Sequence, residues 1–227
     1  MDNANNVIIN VIDKELEYKI YILTHTTNIK KAFILHKDLI KDKLELTDED
    51  MEYLNKLVVK HDTSKYSLEE FNPYRRHFYP TASESSMSQQ VKDTFEEQFN
   101  IAWEHHYKNN EHHWEHWGEE DIPNVYIAEM MLDWIAMGMY NGNYAWQYYN
   151  DHRDDIHVTD NARIKIETFL NALREIEDVT KAEEETPAED PMTEEDAITE
   201  ETTIVEETKV EETVEVVHVA PEDITIE

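Results

Sequence analysis

The chain has 227 residues, 40% of them hydrophobic and 10% aromatic, which is enough to build the core of one domain. Fifty-two Asp and Glu against 20 Lys and Arg give a net charge of -32, which repels phosphate backbones and anionic lipid alike, so generic nucleic-acid coating and membrane binding are excluded. The absence of cysteine removes disulfides, Cys-built zinc sites, iron-sulfur clusters and thiol nucleophiles, and three glycines are too few for a P-loop or a dinucleotide fingerprint.

In chain order, residues 7–12 form an early apolar stretch, but Asn10 interrupts it and no basic region precedes it. It therefore reads as neither a signal peptide nor a membrane span, and a cytoplasmic protein is expected, in the host cytoplasm if a phage encodes it. Residues 15–42 read as one or two helices. Thr47 then precedes Asp48, Glu49 and Asp50, an N-cap followed by acids that suit a helix N-terminus, and Met51, Leu54, Leu57 and Val58 supply the apolar stripe of a helix running into His61 and Asp62. Pro73 and Pro80 bracket an irregular aromatic stretch, 71–79, and 83–88 reads as a loop or helix start. A long helix is expected over 90–107. Pro123 opens another that carries Met130, Met131, Trp134 and Met137, and Thr159 starts a last one through Leu173.

The fold class is therefore all-α, a helical domain over residues 1–177. All twelve Tyr, five Trp and six Phe lie between Tyr18 and Phe169. Residues 178–227 hold 19 acids and two lysines, with Val-Glu-Glu-Thr at 205–208 and again at 210–213, and their composition predicts a disordered acidic tail that could engage a protein partner.

The candidate chemistry lies in the histidines. A lone interior histidine is more often a satisfied core residue than a ligand, but clustered imidazoles with nearby carboxylates are what divalent transition metals select. His61 adjoins Asp62, and His105, His106, His112, His113 and His116 form a run. On a continuous helix His105 would share a face with His112, and His106 with His113. A break at Asn109 and Asn110 would instead make the two pairs separate ligand sources facing one pocket. Adjacent His61 and Asp62 cannot share a helix face, so a metal bound by both needs them at a helix end or turn. Lys65 then lies within reach of a substrate phosphate as a point charge. Asp133, between Leu132 and Trp134, is costly to bury unless paired or metal-bound.

The order His25, His61-Asp62, His105/His106, His112/His113, Asp133 resembles the HD superfamily of metal-dependent phosphohydrolases, and 61–65 looks like the His-Asp-x-x-Lys form of its cyclic-di-nucleotide branch. The chain is more closely similar to an uncharacterised phage and bacterial family, known only as domain of unknown function 5662. That similarity rests on Tyr21-Ile-Leu-Thr-His25, 61–74, Ala102-Trp-Glu-His-His106, Asn110-Glu-His-His-Trp114, Glu129-Met-Met-Leu-Asp-Trp134 and Trp146-Gln-Tyr-Tyr-Asn150, within residues 18–173. The resemblance implies an HD-like bundle in which His25, His61, Asp62 and Asp133 hold one divalent ion (Mn, Fe, Zn, Co or Ni), with Asp62 bridging to a second held by the later histidines. It further implies Asp62 and Lys65 as catalytic residues acting on a small phosphorylated, nucleotide-type substrate, with Arg75 or Arg76 as further phosphate contacts. The glycine-rich signature that follows the double histidine in the cyclic-di-nucleotide branch is missing, and Trp114-Glu115-His116-Trp117 stands there instead.

Two other readings compete. Residues 112–116 fit the His-x-x-Glu-His zinc pattern, which leaves His61-Asp62-x-x-Lys65 unexplained. The chain could also be a non-catalytic phage or accessory protein that binds through its acidic tail and surface. The aromatic stretch 140–149 reads as packing, with Tyr144, Trp146, Tyr148 and Tyr149 able to stack a base at a pocket mouth.

Overall fold

A computed structural model describes residues 2–185, with side chains from 9 to 179. These residues are all-α, without a strand among them. The acidic segment beyond 185, including the Val-Glu-Glu-Thr repeats, lies outside the described residues. Among the described residues no helix is long and apolar enough to cross a membrane.

Helix α1 (Asp2–Lys43) is one continuous rod. Helix α2 (Asp48–Lys60) begins at the expected cap: the Asp50 N–H donates to Thr47 Oγ1 at 3.1 Å, and the Thr47 N–H donates back to Asp50 Oδ2 at 2.9 Å. A single 3-10 turn (Thr63–Tyr66) follows. Residues 71–79 are not irregular: Phe71–Phe78 is helix α3. Pro73 is tolerated because it falls in the first turn, where its missing N–H has no intrahelical partner, and Pro80 lies beyond the last residue. Helix α4 (Ala82–Ser85) is a single turn capped by Thr81 and Glu84, and α5 (Gln89–Asn109) is the expected long helix. After the short α6 (Trp114–Trp117), Pro123 caps α7 (Asn124–Asn141). Helices α8 (Ala145–His152) and α9 (Asp160–Glu185) complete the bundle, α9 continuing well past the expected end at Leu173.

Helix α7 is the centre. Val125, Ile127, Ala128, Met130, Met131, Leu132, Trp134, Ile135 and Ala136 are all buried, so the helix is apolar nearly all round and must be enclosed. Helices α1, α2, α8 and α9 pack around it, contributing Ile29 and Ile40, Leu54 and Val58, Tyr149, and Ile166, Phe169 and Leu173. Its end is closed by Gly142 in the left-handed region at φ 74°, where the Gly142 N–H donates to the Gly138 carbonyl at 2.8 Å. A smaller aromatic core of Tyr18, Ile22, Tyr74 and Ala102, flanked by Phe71, Phe99 and Trp103, joins α1, α3 and α5. The candidate site lies where these two cores meet.

Arg75 is buried and holds Glu84 with two hydrogen bonds of 2.6 Å, and Glu84 in turn caps Thr81. Neither Arg75 nor Arg76 lines the cavity described below; Arg76 donates to Gln98. The expected phosphate role of these arginines is therefore replaced by a structural clamp between α3 and α4. The hydrogen bonds from Arg75 hold the Glu84 carboxyl at about 2, against the opposing effect of burial. Because that pKa is depressed on folding, the clamp's stabilisation is complete above the ordinary carboxylate value and is lost as pH falls from about 4.5 towards 2. Glu84→Gln is expected to cost about 2 kcal/mol at pH 7, measured by urea unfolding, and this cost should shrink as the comparison is moved down through that window. A cost independent of pH would mean that the clamp is shape rather than charge.

Candidate metal centre

His25 projects from the middle of α1, His61 caps the C-terminus of α2, and Asp133 sits on α7. Asp62 follows His61 in the left-handed region, at φ 59° and ψ 18°, a conformation that Asp and Asn tolerate better than other non-glycine residues. That single left-handed residue is what turns adjacent His61 and Asp62 onto one site.

Four donor atoms from these residues converge. His25 Nε2 lies 3.2 Å from His61 Nε2, 3.2 Å from Asp62 Oδ2 and 3.1 Å from Asp133 Oδ1. His61 Nε2 lies 3.6 Å from Asp62 Oδ2 and 3.7 Å from Asp133 Oδ1. Donors at about 2.0–2.2 Å from one ion stand at such mutual separations. The other oxygen of the same carboxylate faces a second group: Asp62 Oδ1 is 3.3 Å from His106 Nε2 and 3.7 Å from His112 Nε2, and His113 completes the cluster. Asp62 Oδ1, His112 Nε2 and His113 Nε2 are buried without a hydrogen-bond partner among the described residues. Buried polar atoms left unpaired cost free energy, and three of them aimed at one spot are the donor set that a cation satisfies.

Two carboxylates behind the ring orient it. Glu129 Oε1 lies 3.1 Å from His61 Nδ1 and 3.7 Å from His112 Nδ1, while Glu70 Oε2 accepts from His106 Nδ1 at 2.8 Å. For His61 and His106 the δ nitrogen is held from behind and the ε nitrogen points inward, the arrangement by which an outer carboxylate fixes the tautomer of a ligating histidine. The grouping of His61, His112 and Glu129 is thus better read as this outer support than as a third site. Ser64 joins in, donating to Glu70 Oε2 at 3.0 Å.

Electrostatics follow the geometry. Burial would drive protons off His25, His61 and His106, but their carboxylate partners outweigh it and raise all three pKa values. Burial and the neighbouring imidazoles push His112 down, and burial lowers His113 to about 3, so both are neutral with free lone pairs at pH 7. Burial would raise Asp62 and Asp133, yet Lys65 and the histidines around Asp62, and His25 and His61 around Asp133, hold both far below the usual carboxylate range.

The site forms the floor of a cavity of about 310 Å³, walled by Tyr21, Tyr74, Phe78, Trp103, Trp114, Trp134 and Tyr148, with Asn141, Asn143 and Glu115 at polar positions. Lys65 lines it and donates to Asp62 Oδ2 at 2.6 Å.

Of the expected ligands, the structure brings together His25, His61, Asp62, His106, His112, His113 and Asp133. His105 is not among them: it turns outward, one-third exposed, and pairs with Glu70 Oε1 at 2.7 Å, because adjacent residues at the end of α5 cannot both face inward. Helix α5 stops at Asn110, whose side chain donates to the His106 carbonyl at 2.7 Å, so the two histidine pairs are separate sources facing one pocket. The zinc pattern over 112–116 dissolves, since α6 starts only at Trp114 and His116 Nδ1 bonds the Tyr107 carbonyl at 3.0 Å. Of the aromatics at 144–149, Tyr148 alone lines the cavity, while Trp146 packs under Arg174 and Tyr149 donates to Glu167. Glu70 and Glu129 carried no sequence assignment. Glu129 had a readable signal, lying one helical turn before Asp133 and so on the same face of an otherwise apolar helix.

The described residues thus form an all-helical domain with a buried histidine and carboxylate constellation suited to a divalent cation. The chain belongs to a family described as a family of unknown function (DUF5662), which it matches over residues 14–172. No curated protein and no solved structure matches it.

Proposed function

We propose that the protein is a metal-dependent phosphohydrolase of the HD type, with His25, His61, Asp62 and Asp133 holding one divalent transition-metal ion and Asp62, His106, His112 and His113 a second. The observation that carries this reading is one carboxylate, Asp62, whose two oxygens face two separate sets of inward-pointing donors. Divalent ions held there would supply Lewis acidity for activating water and neutralising phosphoryl oxygens. The chain's own residues do the rest. Lys65 stands at the floor of the cavity as the cation for a phosphate oxygen, its ammonium passing from Asp62 to the substrate. The aromatic walls exclude bulk water and suit a flat leaving portion such as a nucleobase, so a nucleotide-type phosphoester is the favoured substrate. Glu129 and Glu70 keep the imidazoles turned inward.

A second reading rests on the Lys65–Asp62 ion pair itself. A lysine 2.6 Å from Asp62 Oδ2 partly neutralises the site from within, as a non-catalytic binding protein with a self-satisfied core would require. Elemental analysis of tag-free protein, followed by a phosphoester screen with manganese or iron added, separates the two. One to two transition-metal ions per chain with turnover of a phosphoester supports the hydrolase. A protein that neither retains nor takes up metal overturns it in favour of the binder.

A further inference from the structure

Helix α1 is apolar on two opposite faces. Tyr18, Ile22, His25 and Ile29 point into the bundle and are buried. On the far side Ile9, Ile12, Leu16, Ile20 and Leu23 recur at intervals of three and four residues, and Ile34 continues the same line three turns further on. All six are between 54% and 68% exposed. The stripe is about 37 Å long at 1.5 Å per residue. A surface helix of an isolated domain has no reason to carry a second aliphatic stripe, and a patch of this extent marks an interaction surface.

We propose that this outer face of α1 is a homodimer interface, on which a second copy of the chain lays its own α1 antiparallel to the first. The identity of the occupant is argued from registry and charge. With the two-fold axis between positions 21 and 22, Ile20 meets Leu23 of the second copy and Ile9 meets Ile34, each contact occurring twice, as an isologous interface demands. Leu16 then meets Thr27, whose hydroxyl is turned back onto the Leu23 carbonyl at 2.7 Å and leaves its methyl outward. The same registry brings Asp13 beside Lys31 of the second copy, again twice, because 18 residues make five full turns and set both on one flank of the stripe; both are exposed and neither forms an ion pair among the described residues. A parallel pairing would instead leave Asp13 and Lys31 five turns apart along the seam and lose this contact. Six side chains more than half exposed present several hundred Å² of apolar surface per copy, on the scale of the roughly 800 Å² each partner gives to a standard interface.

The test uses the full chain in sedimentation velocity and light scattering. Wild type is expected at twice the chain mass at micromolar concentration, and Leu23→Glu, which sets a charge at the centre of the seam, should raise the dimer dissociation constant on the order of a hundredfold with helix content unchanged by circular dichroism. Registry is read separately. Since the chain has no cysteine, mixing an Asp13→Cys chain with a Lys31→Cys chain should give a disulfide-linked pair under mild oxidation that neither forms alone. A monomeric wild type, a dimer indifferent to Leu23→Glu, or linkage of Asp13→Cys to itself in place of Lys31→Cys would each overturn the proposal.

Discussion

Asp62→Asn is expected to empty both halves of the centre at once, lowering bound metal from one or two ions per chain to near none and phosphoester turnover by on the order of a thousandfold or more. The substitution removes charge while changing little else. Asparagine has the same shape, and it accepts the left-handed backbone that position 62 requires, whereas alanine at φ 59° would add strain of roughly 1 kcal/mol and confuse the result. It also sets an amide nitrogen where one of two ligand oxygens stood, facing either the His25 and Asp133 side or the His106 and His112 side. Among the described residues no other spans both sets, so loss at any other ligand should be partial: His113→Ala should spare the ion held by His25, His61 and Asp133. Elemental analysis beside thermal unfolding decides the matter. If Asp62→Asn keeps a full complement of metal, the shared-carboxylate arrangement is wrong.

The second large effect is expected at a residue that touches no ion. Glu129→Gln should weaken metal affinity by about ten- to a hundredfold, the usual consequence of removing an outer carboxylate from ligating histidines. Its Oε1 stands behind both His61 and His112, one from each half of the centre; an amide oxygen there lacks the negative charge that favours the two δ N–H groups, and an amide turned over would set a competing N–H donor against them. Competition against a chelating dye gives the affinity, and Glu120→Gln, at an exposed position, is the control. An affinity within about twofold of wild type would reduce Glu129 to a packing role.

How much of this could be read from the chain differs from element to element. Helix α2 was legible because its cap, its acidic first turn and its apolar stripe agree, and α7 because its run of Met, Ile and Leu follows a proline. Helix α3 was hidden by two prolines that flank rather than break it, a distinction that depends on where the first turn begins. The order of the candidate ligands His25, His61-Asp62, Asp133 was visible as residue type and spacing. The choice between His105 and His106 was not, since it depends on how α5 is rotated about its axis by packing of Ala102 and His106. Glu70 could not have been found, as it stands beside Glu69 in a polar stretch and becomes important only when the chain folds it beneath His106. The later histidines gave a clear density but no geometry, because the break at Asn110 rests on side-chain capping rather than on a glycine or proline.

The aromatic wall of the cavity has an optical consequence. Three of the five tryptophans, Trp103, Trp114 and Trp134, line the same enclosure as the candidate ligand atoms. The protein's intrinsic emission is therefore dominated by reporters within reach of whatever enters. A paramagnetic ion such as manganese or cobalt should dim that emission on entry while zinc leaves it bright, so that the chain signals both the occupancy of its centre and the electronic character of the occupant without any added label.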